Sequence, residues 1–435
     1  MHRVVEPMLT NIRTSERYYL PALLLIGAVC LSACEGPPGD SAQSRPSGSP
    51  DAVASFLTKY WQRPLAAQGE APVHYSAVEA SLEPSSCGMC HRAQFDDWKQ
   101  SLHSRAMGPG IMGQLVNMAP HATDEHQNCL RCHAPLREQA AGLASALAQA
   151  KGRIDAVARA PKKERALYEQ GLVCAACHMR GHQRYGPSRR DGSAPGRAAA
   201  LPHNGWISSP AFEDSQFCAA CHQFELDDYA LNGKLLENTY QEWKTSRYAR
   251  EGKQCQSCHM PGRRHLWRGI HDPEMVTAGV TIAVRAVEVT PNGVAGTLVI
   301  RNTGTGHYFP TYVTPQVIVE AYQEGPGGEI VQGTLQQFVI GRSVTLDLTE
   351  ERSDTRLAPD EKKSFDYRAP VNPKAAQLVF RVRVEPDAFY TAFYRSLLKD
   401  KQAGKGEILL RQALRDSLAS QFTIYTNRHL LREKY

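Results

Sequence analysis

The chain has 435 residues, of which 50 are lysine or arginine and 44 are aspartate or glutamate, so its formal net charge is +6. This length allows two or three domains of ordinary size. No run of basic residues alternates with aromatic residues, so the sequence lacks the electrostatic footprint of a nucleic-acid-binding protein. We therefore expect no nucleic-acid partner.

Residues 1–34 have the pattern of an export signal. Two arginines precede an apolar run over residues 20–29, and Leu31-Ser32-Ala33-Cys34 follows. The apolar run is too short to make a good membrane span. The four residues that end at Cys34 resemble a bacterial lipobox, which implies lipidation of Cys34. The alternative is an ordinary signal peptide with an incidental cysteine.

Residues 35–56 are rich in glycine, proline and serine at their start, a composition that cannot bury a core and is typical of a tether. Glu35 directly after the cysteine resembles lipoproteins that are sorted to the outer membrane. We expect an exported lipoprotein that faces the periplasm or lies at the outer membrane. The remaining boundaries are predicted at 57–275, 276–386 and 387–435.

Ten of the twelve cysteines form five C-x-x-C pairs, and a histidine follows each pair directly. In chain order the five motifs are Cys87/Cys90/His91, Cys129/Cys132/His133, Cys174/Cys177/His178, Cys218/Cys221/His222 and Cys255/Cys258/His259. On one helical turn, cysteines three apart face the same side and can each form a thioether to a haem vinyl group. The histidine then lies beneath the iron as its proximal ligand. Zinc sites and thioredoxin-like sites also use C-x-x-C, but neither requires the histidine.

The motifs therefore predict five haem c groups, and they recur about every forty residues. So few residues per haem leave little room for an ordinary core, so the macrocycles must form much of the hydrophobic interior. We expect residues 57–275 to form a mainly α, haem-packed domain.

A sixth iron ligand, or its absence, separates an electron carrier from an enzyme. Apart from His2 and the proximal ligands, ten histidines remain: His74, His103, His121, His126, His182, His203, His265, His271, His307 and His429. Trp98, Ser101 and His103 form a sequence that resembles the W-x-x-S-x-H motif of the cytochrome c-554-like multihaem family. This resemblance implies that His103 is a distal haem ligand. A second copy has Tyr248 in place of the histidine, so we expect it to pack and not to ligate.

Other histidines are distal candidates because of where they stand relative to the motifs. His126 precedes the second motif, His182 follows the third and His203 precedes the fourth. His265 and His271 both follow the fifth motif, and we prefer His271. His307 lies in a segment that resembles a G-H-x-x-P-T element of such cytochromes, and as a ligand it would pin the second domain onto the haems. For each, a histidine bonded locally in a loop is the alternative, and the nearby Met107, Met112 and Met118 are more often packing residues than ligands.

From about Val276 the pattern changes to short strands. Val280, Ile282 and Val284 alternate, an Asn292-Gly293 turn follows, and further β segments are centred near residues 298, 318, 339 and 381. These predict an immunoglobulin-like β-sandwich, although the cysteine pair of that fold is absent. After residue 387, leucine and phenylalanine recur every four residues, which predicts two amphipathic helices that dock on the core.

The pattern favours electron transfer through mostly bis-histidine haems, with periplasmic or membrane redox proteins as partners and a lipid anchor in the membrane. The alternative is a multihaem oxidoreductase in which one open-coordinated haem acts on a small nitrogen or sulfur compound. A haem-based gas sensor would also need an open iron, and no output domain supports that third hypothesis.

Overall fold

The structure is a computed structural model that describes residues 49–149, 165–193 and 201–431. The predicted export signal, the lipidation site Cys34 and residues 35–48 of the predicted tether lie outside these ranges. No helix in the described ranges is long and apolar enough to cross a membrane. The first described helix begins at Pro50, inside the segment predicted as a tether.

Short helices dominate the first half of the described chain. They are α1 (Pro50–Tyr60), α2 (Ala77–Ala80), α3 (Pro84–Gly88), α4 (Arg92–Gln100), α5 (Pro109–Leu115), α6 (Thr123–His133), α7 (Arg137–Gln149), α8 (Cys174–His178), α9 (Gln216–His222), α10 (Thr239–Lys244), α11 (Arg247–Arg250), α12 (Cys255–His259) and α13 (Pro273–Gly279). Single 3-10 turns lie at His103–Arg105, Leu167–Glu169, Pro202–Asn204, Pro210–Glu213 and Pro261–Arg263. Small strands lie between them: β1 (Met179–Arg180), β2 (Gln183–Gly186), β3 (Ile207–Ser208), β4 (Ala230–Leu231) and β5 (Lys234–Leu235).

Helix α1 starts where it does because Ser49 caps it and Pro50 occupies its first turn. Its buried residues Val53, Leu57 and Tyr60 recur at helical spacing on one face. The Tyr60 hydroxyl donates a hydrogen bond of 2.8 Å to the Cys177 carbonyl oxygen. The helix is therefore part of the folded unit and packs against the third motif.

Four of the C-x-x-C-H motifs lie at helix ends. Helices α6, α8, α9 and α12 each end on the histidine of their motif. A helical turn holds the two cysteines of such a motif on one side, as the spacing predicts. Behind the second motif, α5, α6 and α7 bury an apolar cluster that includes Leu115, Leu130 and Leu143.

The first motif departs from the expected single helical turn. Cys87 lies in α3, which ends at Gly88, whereas Cys90 lies in the turn between α3 and α4. The helix cannot continue through the motif because the backbone of His91, with a φ of −102° and a ψ of 52°, is not helical. The turn still keeps the motif together, since the Cys90 and His91 amides donate to the Cys87 carbonyl oxygen at 3.2 and 2.9 Å.

The second half of the chain contains longer strands. They are β6 (Val280–Thr290), β7 (Gly293–Asn302), β8 (Gln316–Glu324), β9 (Gln336–Ile340), β10 (Arg342–Val344), β11 (Glu351–Asp354), β12 (Lys362–Ala369) and β13 (Gln377–Glu385). Strands β6 and β7 form the predicted hairpin, with Thr290 paired to Gly293, so the loop is Pro291-Asn292, one residue earlier than expected.

Two helices, α14 (Ala388–Lys399) and α15 (Glu407–Ala419), follow β13, with a 3-10 turn at Gly404–Gly406 between them, and the strand β14 (Phe422–Leu430) comes last. The predicted C-terminal helices are therefore followed by a strand, which pairs antiparallel with β13. Strand β14 pairs with β13 at the edge of the sheet, and its residues Phe422 and Ile424 pack against the β core.

Two antiparallel sheets share this core. One has the strand order β12-β7-β6 and the other β14-β13-β8-β9. Leu298 of the first sheet and Val319 and Phe380 of the second are fully buried in one cluster. The described chain thus combines short helices with antiparallel β-sheets in its C-terminal half. The finer assignment to an immunoglobulin-like sandwich stays a prediction.

Candidate haem sites

The ten cysteines of the motifs are all free thiols. None of these described cysteines is consumed by a disulfide, so each is available for a thioether. A motif alone supplies one iron ligand, so any second protein ligand must come from another part of the fold.

The cysteines differ in how far they are covered by protein. Cys90 and Cys258 are exposed, whereas the other eight are half-buried. Cys90 is thus less covered than Cys87, the other cysteine of its motif. The physical reason is its position at the corner where α3 gives way to α4, because a residue in such a turn has fewer neighbours than one on a packed helix face. Its role as a thioether cysteine stays a prediction.

Four motif histidines each face a second histidine. The imidazole ring centroids are 6.5 Å apart for His91 and His203, 6.3 Å for His222 and His103, 6.1 Å for His178 and His265, and 6.4 Å for His259 and His307. A histidine nitrogen lies about 2 Å from a first-row metal and about 1.1 Å from its own ring centroid, so two rings on one iron are about 6.3 Å apart. The four spacings fit an iron held between each pair.

In four of the five motif histidines, Nδ1 lies within hydrogen-bond distance of an oxygen atom. Nδ1 lies 2.6 Å from the Ala106 carbonyl oxygen in His133, 2.8 Å from the Tyr185 carbonyl oxygen in His178, and 2.7 Å from the Arg268 carbonyl oxygen in His259. In His222 it lies 2.7 Å from the Tyr312 hydroxyl oxygen. Such a contact fixes the tautomer and ring orientation and leaves Nε2 for a metal.

Burial keeps these imidazoles neutral, which is the form that binds iron. Burial, together with a smaller effect of neighbouring histidines, lowers the pKa of His103 to about 3 and that of His222 and His265 to about 4. Burial likewise lowers the pKa of His91, His133, His178, His259 and His307.

The segment that carries His103 is held by the motif from which its role was inferred. The Trp98 indole donates a hydrogen bond of 2.8 Å to the Leu172 carbonyl oxygen, and the Ser101 hydroxyl donates to the Trp98 carbonyl. The Leu172 amide donates in turn to the His103 carbonyl oxygen at 2.8 Å. Trp98 and Ser101 therefore fix the backbone at both sides of the turn that presents His103.

The same helix α4 also places His265. The Asp97 carboxylate accepts hydrogen bonds from the Arg264 guanidinium and, at 3.0 Å, from the His265 amide. The bond to Arg264 lowers the pKa of Asp97, so the carboxylate stays ionised. From the sequence we preferred His271 to His265. The contact between Asp97 and the His265 backbone joins residues far apart in the chain and could not be inferred from spacing.

The remaining three candidates have no motif histidine opposite them at this spacing. Nε2 of His271 lies 3.0 Å from the Asp387 carboxylate, and Nε2 of His182 lies 3.1 Å from the Gly69 carbonyl oxygen. His126 is buried on α6, the helix that ends at His133. Two turns of one helix separate these two rings on nearly the same face, so they cannot grip one iron from opposite sides.

His307 is delivered by a loop of the β half. The buried Glu242 carboxylate of α10 accepts hydrogen bonds from the Tyr308 amide at 3.0 Å and the Thr311 hydroxyl at 2.6 Å. Arg356 donates to the same carboxylate at 3.1 Å. The imperfect second copy of the tryptophan motif contributes here, because a Cβ on Gly306 would meet Trp243 at 3.0 Å and Tyr248 at 3.4 Å. This copy packs, as predicted, and it supports the His307 loop.

The motifs contact one another in an order that differs from their order in the chain. The thiols of Cys87 and Cys174 are near enough to shift each other's pKa, as are those of Cys132 and Cys221 and those of Cys218 and Cys255. The first motif thus adjoins the third, and the fourth adjoins both the second and the fifth.

Trp267 connects the third and fourth sites. Its ring centroid lies 4.6 Å from that of His103 and 4.9 Å from that of His265, edge-on to both. Its backbone has a φ of 43°, a conformation rarely adopted by a bulky residue, and its amide donates to the His259 carbonyl oxygen at 2.9 Å. Strain of this kind persists only where the surroundings hold it, which marks Trp267 as a positioned residue.

Comparison with known proteins agrees with these motifs. Residues 114–272 match the family described as outer membrane cytochrome MtrC/MtrF-like, domains II/IV. The crystal structure of a penta-heme cytochrome c552 from Thermochromatium tepidum is similar to the chain at a TM-score of 0.55 and 18% identity, and the match covers 82% of this chain and 100% of that one.

Two further comparisons add nothing to the assignment. A β-glucosidase 3B from Thermotoga neapolitana in complex with glycerol aligns at a TM-score of only 0.14 and 13% identity, over 35% of this chain and 16% of that one, and carries no argument. No curated protein sequence matches the chain. The five C-x-x-C-H motifs, the fold and the family match over residues 114–272 together identify the chain as a multihaem c-type cytochrome.

Proposed function

We propose that the chain transfers electrons through five covalently attached haem c groups at the periplasmic side of a membrane or at the outer membrane. The observation that carries the proposal is the set of four facing histidine pairs. Two imidazoles on one iron leave no position for a substrate, and each bound haem supplies a one-electron couple.

The residues divide into three roles. The thioether cysteines are those of the five motifs, the exposed Cys90 included, and the proximal ligands are His91, His133, His178, His222 and His259. The distal ligands are His203 for the first site, His265 for the third, His103 for the fourth and His307 for the fifth. His265 replaces our sequence-based preference for His271 in this assignment.

The contacts between motifs support a branched electron path. The fourth site adjoins the second and fifth through its two cysteines, and it adjoins the third through Trp267. The first site connects to the third. In this arrangement electrons that enter at the first or second site converge on the haem of His222.

The partners follow from this role. Periplasmic or membrane redox proteins supply and remove the electrons, and a lipid on Cys34 holds the protein at the membrane. The β half supplies His307 and a surface for docking. Its strand orders, β12-β7-β6 and β14-β13-β8-β9, are compatible with an immunoglobulin-like sandwich.

The first test is to count haems and one-electron steps. Pyridine haemochrome analysis of the exported protein should give five haems per chain, and a potentiometric titration should fit five reversible one-electron steps. Fewer than five covalent haems, or reduction that does not reverse, would contradict the proposal. A variant with Cys258→Ser tests the method, because it should leave a single thioether at the fifth site and shift that haemochrome band.

Replacement of Trp267 by alanine should disturb two haems together. Loss of the ring removes the contact that orients both His103 and His265, so the low-spin electron paramagnetic resonance signals of two haems should change while the others stay. Removal of a large aromatic side chain should also cost roughly 2 to 4 kcal/mol of stability. Trp267→Phe is the matched control, because it keeps an aromatic ring, and it should give a smaller change. A spectrum unaltered in Trp267→Ala would show that the ring positions neither ligand.

An enzymatic role requires an iron without a second protein ligand. A small nitrogen or sulfur compound could react only at such a site. In the described residues the one motif histidine that faces no other histidine at iron-binding distance is His133, so any catalysis is expected at the second motif.

A further inference from the structure

The Nδ1 contact of His222, at the fourth site, differs in kind from those of the other motif histidines. In His133, His178 and His259 the oxygen near Nδ1 belongs to a backbone carbonyl. In His222 it is the Tyr312 hydroxyl oxygen, at 2.7 Å. A carbonyl oxygen can only accept a hydrogen bond, whereas a hydroxyl that accepts one can also donate one onward. The contact at His222 can therefore continue into the protein.

The next polar group beyond Tyr312 is the carboxyl of Glu237. The two side chains are near enough to shift each other's pKa, and burial raises the pKa of both. The other titratable groups that face Glu237 are Glu242, the Cys132 thiol and Tyr390, all of them acids. A carboxyl in such surroundings keeps its proton at neutral pH, because none of these groups is a cation that would stabilise its ionised form.

A short chain of hydroxyl groups connects Glu237 to Glu242. The Thr239 hydroxyl lies 3.0 Å from the Glu237 carboxyl and 2.8 Å from the Thr311 hydroxyl. The Thr311 hydroxyl lies in turn 2.6 Å from the Glu242 carboxyl. Each of these three contacts needs one hydrogen, but the two threonine hydroxyls carry only two. The third hydrogen must therefore come from one of the two carboxyl groups.

Glu242 does not need to supply that hydrogen. Its carboxylate faces the Tyr308 amide at 3.0 Å and the Arg356 guanidinium at 3.1 Å, and both of these groups can only donate. Glu237 therefore holds the hydrogen, and each hydrogen bond of the chain points from Glu237 towards Glu242. In such a chain each hydroxyl can accept a hydrogen as it donates its own, so one proton can pass between the two carboxyl groups.

We propose that Glu237 passes its proton to Glu242 through the two threonines when the haem of His222 is oxidised, and takes it back when that haem is reduced. Loss of one electron adds one positive charge beside His222, and Tyr312 connects this ligand to Glu237. The added charge favours the ionised form of the nearby carboxyl.

The step balances in protons and electrons. The O–H bond of Glu237 breaks, an O–H bond forms on Glu242, and the electron leaves for a neighbouring haem or a redox partner. Glu242 binds the loop of His307, so the proton moves from the fourth site towards the fifth, in the same direction as an electron that passes between these two haems. The inference rests on the proposed function for the haem and its electron, and it adds a coupled proton to one of the five sites.

Infrared difference spectra of the five-haem holoprotein, recorded while the applied potential is stepped, test the proposal. Protonated carboxyl groups absorb apart from carboxylates, and their bands shift in heavy water. One such band should be lost and another gained within one of the five one-electron steps, and both changes should reverse with the potential. Spectra without these changes would overturn the proposal. Five haems with reversible reduction would leave electron transfer standing in that event.

Two substitutions break the proton path at different points. Glu237→Gln removes the acid, and Thr239→Val removes a hydroxyl between the carboxyl groups, so each should abolish both band changes. Thr239→Ser keeps a hydroxyl and should restore them. Thr391→Val is the matched control, because the buried Thr391 hydroxyl donates to the Ser417 hydroxyl and lies outside the chain. Band changes that persist in Glu237→Gln or Thr239→Val would overturn the proposal.

Tyr312→Phe tests the connection to His222. It removes the acceptor at Nδ1, which makes the imidazole a weaker electron donor, so the potential of one haem should rise. The carboxyl bands should then change at the new potential of that haem. If the bands stay at their former potential while that of one haem moves, or if none of the five potentials moves, the proton is not coupled to the haem of His222.

Discussion

Replacement of Gly171 by alanine is expected to lower the free energy of unfolding by roughly 2 to 4 kcal/mol and to perturb two haems. Gly171 has a φ of +68°, and a Cβ there would lie 2.3 Å from the His103 carbonyl oxygen and 2.8 Å from the Ala106 amide nitrogen. These are backbone atoms that cannot swing away as the end of a side chain could. The turn must therefore shift, and it carries His103 and also the carbonyl that orients His133.

Denaturant unfolding of the holoprotein measures the stability, and electron paramagnetic resonance reports the two haems. Gly233→Ala is the matched control, because Gly233 has a φ of +70° but nothing within 4 Å of an added Cβ. It should cost only the backbone strain, about 1 kcal/mol, and leave the haem spectra unchanged. Equal effects of the two substitutions would show that the close approach to His103 has no consequence.

Replacement of Arg356 by methionine should cost roughly 3 kcal/mol of stability, because it removes one partner of a buried ion pair. The Arg356 and Glu242 side chains are 6% and 3% exposed, and Arg356 also donates to the Thr311 carbonyl oxygen at 2.8 Å. Without the guanidinium, the Glu242 carboxylate is buried with only the Tyr308 amide and the Thr311 hydroxyl as donors. The loop that carries His307 should loosen.

The loss should depend on pH. Burial already raises the pKa of Glu242, and removal of Arg356 takes away a positive charge that lowers it. A carboxyl with a raised folded pKa destabilises the fold when it is ionised, so the deficit should grow as pH rises through that pKa and shrink in acid.

Unfolding of wild type and variant across the pH range measures this difference. Arg247→Met is the control, because its pair with Asp360 is half-exposed and should contribute much less to stability. If the stability lost in Arg356→Met does not change with pH, the Glu242 carboxylate is not left buried and ionised without a partner.

Local sequence was sufficient for features that depend on neighbours in the chain. The C-x-x-C-H spacing works within one helical turn, so the motif helices could be anticipated from it, apart from the turn that holds Cys90. The β6–β7 hairpin followed from alternation and turn residues. The last strand could not be anticipated as easily, because β14 is stabilised by an edge of β13 that lies about forty residues away in sequence.

The candidate distal histidines show most clearly what could not be predicted from the sequence. His265 and His271 stand close together after the same motif, and nothing in their spacing separates them. The fold separates them, because Asp97 binds the backbone of His265 whereas Asp387 occupies Nε2 of His271. Both carboxylates lie more than one hundred residues away in the chain.

The sequence by itself therefore determined the cofactor chemistry, the number of motifs and, through the tryptophan motif, the candidacy of His103, because these depend on contacts within a few residues. Only the tertiary structure decided which histidines face each other and which motifs lie near one another, and that none of the other described histidines pairs with His133 at the spacing of the four pairs. Those properties arise from long-range packing, in which a ring is placed by carbonyls and carboxylates from distant segments.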